Sequence, residues 1–272
     1  MEIEGKNLNN LSTRGNFRIL FPTYIVYDFR RIFLFIHIFY KIYTTLSYCD
    51  YQMTQFQPRG VYSAIPTAIN EDGSINFQAQ QNHIDYLEDG GVHGIVPAGC
   101  TGHAASLGDQ SDDEFFNEHA RFVSDGMNST QQTIDLAKAV EDEADIDAHL
   151  VITPYQNCPP QDRIVDHYRQ IAEAVDEDII AYNVPGRTGR NVEPRTLEYI
   201  ADIPGVVGLK EASNDPEQIT DMGERVFGHE EFYLGSGDDA RNDQVFDEGG
   251  SFAISVSANV HPEGVVEVWE QG

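Results

Sequence analysis

The sequence predicts an α/β fold, a (β/α)8 or TIM barrel, on three observations. From Val61 onward, short β-branched runs alternate with longer amphipathic segments. The runs start mostly about 26 to 33 residues apart, the length of one strand-plus-helix unit. They are also nearly continuous in apolar residues, as strands are when both faces of a parallel sheet are covered.

The first run, VYSAIPTAI (61–69), precedes a helical pattern over 76–89 carrying Phe77, Ile84 and Leu87. After the second, GIVPAG (94–99), the next run starts 55 residues on, at HLVITP (149–154), which leaves room for two units. Yet EFFNEHARFVSDGMNSTQQTIDLAKAV reads as two helices joined by SDGMNST, with no β-branched run between them, so the third strand is expected to be missing. The second of those helices, 130–142, carries Ile134, Ala137 and Val140, and Lys138 on its polar side. A helix over 163–175 with Ile164, Tyr168, Ile171 and Val175 separates HLVITP from DIIAYNVP (178–185). VVGLKEA (206–212) follows, then a helix over 218–227 built on Ile219, Met222 and Val226, then FYLGSG (232–237) and FAISVSANV (252–260). PEGVVEVWEQ reads as the start of an eighth helix at which the chain is truncated. Seven strands and one gap make eight positions, the number that closes a barrel of typically about 250 residues. A Rossmann fold is disfavoured because no GxGxxG opens a helix after any strand.

Formal net charge is −28, from 45 acidic and 17 basic side chains, which argues against nucleic acid or an anionic membrane surface as partner of the body. Such a chain repels itself at low ionic strength, and 1 M salt screens that repulsion to within roughly 3 Å. A cytoplasm of high salt is the expected setting. Cys49, Cys100 and Cys158 form no disulfide framework and no CxxC motif, so a reducing interior is expected.

Residues 1–52 differ from the rest. They hold four acids against six bases, a net of +2 that leaves −30 for the remaining 220 residues. Their longest apolar stretch, interrupted only by His37, is the nine residues from Ile32 to Tyr40, well under the roughly 20 needed to span a bilayer. No small-residue cleavage site follows it. Three readings stand: an upstream extension that is not part of the working protein, an interfacial membrane anchor, and an ordinary hydrophobic helix or hairpin. Acidic composition begins just beyond Met53, which is a plausible true start.

A barrel keeps its chemistry at the C-terminal ends of its strands. Those ends read AGCTGH, TPYQN, AYNVPGRTG, LKEAS, GSGDDA and ISVSAN. Lys210 is the one amine among them and one of only two lysines beyond residue 52. Walled by apolar neighbours, it would fall below the usual lysine pKa of about 10.4 and could attack a ketone as the free amine. The other reading is a salt bridge to Glu211 or Asp238. Tyr182 is either a proton donor at a strand end or a core aromatic. Arg187 is either a carboxylate clamp or a surface loop cation. Thr101 and Cys100 offer a hydroxyl and a thiol beside glycine amides able to receive an anion. Asp238 and Asp239 with Glu211 and His261 do not make a convincing metal set, no phosphate cradle for a cofactor is seen, and neither a metal nor a cofactor is expected.

The ordered set GCTGH, TPYQN, YNVPGRTG, GLKEAS, SGDD and ISVSANV resembles the dihydrodipicolinate synthase and N-acetylneuraminate lyase family of class I aldolases, over roughly residues 58–272. The resemblance implies a (β/α)8 barrel, usually tetrameric, in which Lys210 forms a Schiff base with pyruvate. It implies that Tyr182 relays protons, that Thr101 with its neighbouring amides holds the pyruvate carboxylate, and that Ile254 lies beside bound pyruvate. It also places Gly186 and Arg187 in substrate binding, Arg187 resembling the arginine that takes the carboxylate of aspartate semialdehyde. The implied reaction condenses pyruvate with L-aspartate 4-semialdehyde to 4-hydroxy-tetrahydrodipicolinate. A 2-keto-3-deoxy sugar-acid aldolase and an inactive barrel relic with a binding or regulatory role are the alternatives. Two relay positions depart from the family's pattern: Cys100 stands for a threonine and Gln156 for a tyrosine, and His103 replaces a glutamate. A thiol can still donate a proton, whereas an amide is neither acid nor base near neutral pH.

Overall fold

The computed structural model describes residues 55–97, 99–103, 122–124 and 126–272. The 1–52 segment and most of EFFNEHARF lie outside the described residues. Among the described residues eight strands form one all-parallel sheet: β1 (Gly60–Ala64), β2 (Gly94–Val96), β3 (Phe122–Val123), β4 (Ala148–Ile152), β5 (Asp178–Asn183), β6 (Val206–Glu211), β7 (Tyr233–Ser236) and β8 (Phe252–Ser255). Their order is β2-β1-β8-β7-β6-β5-β4-β3, so β1 pairs with β8 while β2 and β3 end the series. The α-helices among the described residues are α1 (Phe77–Asp89), α2 (Thr130–Glu143), α3 (Gln161–Ala172), α4 (Pro185–Thr188), α5 (Pro194–Ala201), α6 (Pro216–Val226), α7 (Asn242–Asp247) and, after β8, α8 (Pro262–Gln271).

The incomplete barrel expected from the sequence is found, with two refinements. The third position holds a strand of two residues, whose Phe122 and Val123 pair with Ala148 and His149. A strand that short leaves no apolar run to read. Among the described residues no ladder joins β2 to β3. The segment expected to begin the eighth helix is a helix of ten residues.

Local chemistry explains the helix starts. Asn76, Ser129 and Asp215 each accept a hydrogen bond from a first-turn amide, and Pro216 follows Asp215 where a missing N–H costs nothing. Strand alternation then divides the apolar residues into two cores. On β5, Ile180 and Tyr182 join the inner core, while Ile179 and Ala181 join the outer one. The outer core packs the sheet against Ile164, Tyr168, Leu197, Ile219 and Met222 of the helices. The inner core, with Tyr62, Leu150, Val207, Phe252 and Ile254, fills the barrel.

Gly235 makes room for Phe252, and Gly208 for the backbone of β7 beside it. A Cβ on Gly235 would lie 2.3 Å from the Phe252 ring, and one on Gly208 would lie 2.6 Å from the Tyr233 carbonyl oxygen and 3.6 Å from the ring. The ring is fully buried, a burial that stabilises by about 1.5–3 kcal/mol. Phe252 begins β8 and belongs to the inner core together with Tyr182.

Candidate active site

β5 and β6 lie side by side with Tyr182 paired to Lys210, so both side chains leave the sheet on the same face. The Lys210 ammonium sits 4.3 Å from the centroid of the Tyr182 ring, and the residue is 7 % exposed. Its aliphatic stem runs past Gly237, where a Cβ would stand 2.7 Å from Cε and 2.9 Å from Cγ. Only a residue without a side chain allows that path.

The salt bridge weighed for Lys210 does not form. Glu211 points to the other face, where its carboxylate accepts from Asn183 Nδ2 at 2.8 Å, the Ser213 amide at 2.5 Å and Gln218 Nε2 at 3.3 Å. Among the described residues Lys210 has the Tyr182 ring as neighbour and no hydrogen-bond or ion-pair partner. Loss of hydration pulls its pKa down to about 8; charges on Cys100 and Asp239 oppose that shift and Arg187 adds to it. Burial likewise pushes the Tyr182 phenol up to about 12, helped by Cys100, Asp238 and Glu211 and opposed by Arg187. Near neutral pH the pair is therefore an amine that sheds its proton readily and a phenol that keeps its own.

Both line a cavity of about 270 Å³ at the C-terminal ends of the strands. Ala64, Val96, Leu150 and Val184 give it apolar walls, and Gly99, Cys100 and Thr101 after β2 form one side. Thr67 Oγ1 donates to the Gly102 carbonyl at 2.7 Å and holds that loop, and His103, at φ 59°, is its turn residue. Arg187 reaches the cavity from α4, a single turn closed by Gly189 at φ 73°. Its guanidinium has no partner among the described residues. Asp239 ties β7 to the end of β8: it accepts from Ser255 Oγ at 2.5 Å and from the amides of Val256 and Ser257 at 3.0 and 2.8 Å. Burial works to raise its pKa, yet those hydrogen bonds outweigh it and leave the carboxyl below its usual value.

A model of the dihydrodipicolinate synthetase family matches residues 57–272. The chain belongs to that family. It is 39 % identical over 218 residues to the 4-hydroxy-tetrahydrodipicolinate synthase of Haloarcula marismortui, covering 78 % of this chain and 71 % of that protein. The crystal structure of dihydrodipicolinate synthase from Thermotoga maritima superposes with a TM-score of 0.75 at 33 % identity, over 79 % of this chain and 76 % of that one. The chloride-inhibited synthase from Acinetobacter baumannii complexed with pyruvate gives 0.74 at 33 % identity, over 79 % and 75 %.

Of the residues the family resemblance singles out, Lys210, Tyr182, Arg187, Cys100 and Thr101 line the cavity of this dihydrodipicolinate synthetase family member. Ile254 is 2 % exposed and packs in the inner core with Tyr182 rather than on the lining. Gly186 is exposed on the α4 turn, and Gln156 is exposed at φ 68°; neither is on the lining. Ser124, Gly237 and Val256 line the cavity without a signal in the sequence beyond adjacency to a strand end. Asp238 and Asp239, read from sequence only as metal or salt-bridge candidates, line it too. Among the described residues no group of three or more His, Cys, Asp or Glu side chains is arranged to hold a metal ion.

Proposed function

We propose that this chain condenses pyruvate with L-aspartate 4-semialdehyde through a Schiff base on Lys210, giving 4-hydroxy-tetrahydrodipicolinate. The free Lys210 amine attacks the pyruvate ketone, and the carbinolamine loses its hydroxyl as water after taking a proton from Tyr182. Loss of a methyl proton leaves an enamine, whose carbon forms the new C–C bond to the aldehyde. The amino group of the semialdehyde then attacks the imine carbon, closes the ring and releases Lys210 as the amine, so one water leaves per turnover. Thr101 with the neighbouring amides takes the pyruvate carboxylate, with Ile254 packed behind it. Arg187, positioned by Gly186 in its turn, takes the carboxylate of the semialdehyde.

Cys100 carries protons between Tyr182 and the cavity mouth, and Gln156 contributes no proton transfer, so the relay is shorter than the family's usual one. The observation that carries this reading is a buried, unpartnered amine with its pKa near 8, set against a phenol that keeps its proton. No separate cofactor is required, because the electron sink is the iminium formed on Lys210. The working body is residues 58–272, with 1–52 an atypical extension. Among the described residues no helix is long and apolar enough to cross a membrane. We assign the protein to a high-salt cytoplasm, as a homo-oligomer, dimer or tetramer.

The test is incubation with pyruvate and borohydride followed by intact mass. A reduced adduct on the wild-type chain that is lost in Lys210→Ala is expected; no adduct on folded protein in high salt overturns the reading.

A further inference from the structure

Asp238 faces the cavity from the end of β7, while Arg187 faces it from the turn after β5. The two acids of the GSGDD loop are not equivalent there. Asp239 has both carboxylate oxygens engaged by Ser255, Val256 and Ser257 and is part of the scaffold. Asp238 uses only Oδ1, which accepts from the Ala240 amide at 3.1 Å, and Oδ2 has no partner among the described residues. The backbone of Asp238 is fixed by Ser236, whose Oγ donates to its carbonyl at 3.0 Å. The carboxylate thus belongs to a residue on the cavity lining, and one of its two oxygens is left without a partner among the described residues. Its charge is felt at the Tyr182 hydroxyl, where, after burial and Cys100, it adds to the rise of the phenol pKa.

A cavity with an unpartnered cation on one wall and a half-free anion on another is suited to a ligand bearing both charges. Pyruvate bears only a carboxylate. The semialdehyde of the proposed reaction carries an ammonium and a carboxylate on one carbon, a short zwitterion. Lys210 is itself a cation once it becomes an iminium, so an incoming ammonium close to it needs a nearby negative charge.

We propose that Asp238 binds the ammonium group of the aldehyde substrate opposite Arg187, so that this site selects an α-amino aldehyde over its deaminated analogue. This rests on the proposed condensation. Apolar walls alone would discriminate weakly between the two, whereas a fixed carboxylate left unpaired by the wrong ligand discriminates strongly.

The experiment compares aspartate semialdehyde as substrate with succinate semialdehyde, which lacks the amino group, as competitive inhibitor. In the wild-type enzyme the KM for aspartate semialdehyde is expected to lie at least tenfold below the Ki for succinate semialdehyde. Asp238→Asn, which keeps an acceptor for the Ala240 amide, is expected to raise that KM about tenfold or more, to change the Ki less than twofold, and to retain the borohydride-trapped pyruvate adduct. An unchanged KM overturns the proposal, as does an equal rise of KM and Ki, which would mean that Asp238 only shapes the cavity. If Asp238→Asn does not fold, equal wild-type KM and Ki overturn it. A wild-type chain without a pyruvate adduct overturns the condensation itself, a separate result.

Discussion

β5 and β6 each run for six residues and share five paired positions, from Ile179–Val206 to Asn183–Glu211. β2 has three residues and β3 two, and among the described residues no ladder joins them. The two sides contribute to one cavity but supply different things. The long ladder holds Tyr182 and Lys210 side by side, and burial there is the main cause of both pKa shifts. The short strands supply the Gly99–Thr101 loop and Ser124, which offer amides, hydroxyls and a thiol at the mouth. A reacting amine must be placed within a fraction of an ångström, and a doubly paired strand over-determines its position. A loop that receives an anion tolerates more movement, so it can hang from the weaker edge.

This contrast is broken most severely at Lys210. Lys210→Met is expected to lower turnover by at least about 10³-fold. At the same time it should stabilise the fold, because the folded pKa near 8 lies below the unfolded value. The folded chain then binds fewer protons between those values, so the penalty of burying the charge is complete below pH 8 and fades as pH rises toward about 10.5. Chemical denaturation at pH 7 should show a gain of about 1–3 kcal/mol that disappears above pH 10. A variant less stable than wild type at pH 7 would show that the amine is not desolvated.

The next largest effect is expected at Gly237. Gly237→Ala brings a methyl against the Lys210 stem and the Ala212 side chain; it should reduce kcat by about 10²-fold and cost about 1–3 kcal/mol of stability. An unchanged kcat would mean that the stem has another route to the cavity. Smaller again is the pH response of the wild-type chain: the initial rate of borohydride-trapped adduct formation should rise about tenfold per unit up to pH 8 and level off above it. A rate flat from pH 6 to 9 would contradict a titrating amine. The smallest change is predicted on the short-strand side, where Cys100→Thr should leave adduct formation intact and raise turnover only severalfold. A loss beyond tenfold would make the edge as demanding as the ladder.

Lys210 was legible because it is a rare residue in this chain and ends a β-branched run. The strand period revealed the barrel for the same reason that it revealed the gap. What escaped has physical causes too. β3 is too short to show a run, and Gly237 matters through a contact with a side chain 27 positions earlier, which no local pattern records. Gly186 and Gln156 adjoin informative residues in sequence, but a turn presents neighbours in different directions, and both are exposed and absent from the lining. The unequal roles of Asp238 and Asp239 are set by Ser255 and the two amides after it, which belong to the next strand.

Phe252 has a consequence for proton traffic. Its ring, with Ile180 and Val207, all fully buried, plugs the barrel against Gly235, the residue paired with Lys210. A water wire arriving from the opposite end of the barrel would have to cross that plug. Among the described residues, the side of the barrel left for proton exchange with the amine is the cavity at the strand ends, where Cys100, Thr101 and Arg187 stand on the lining.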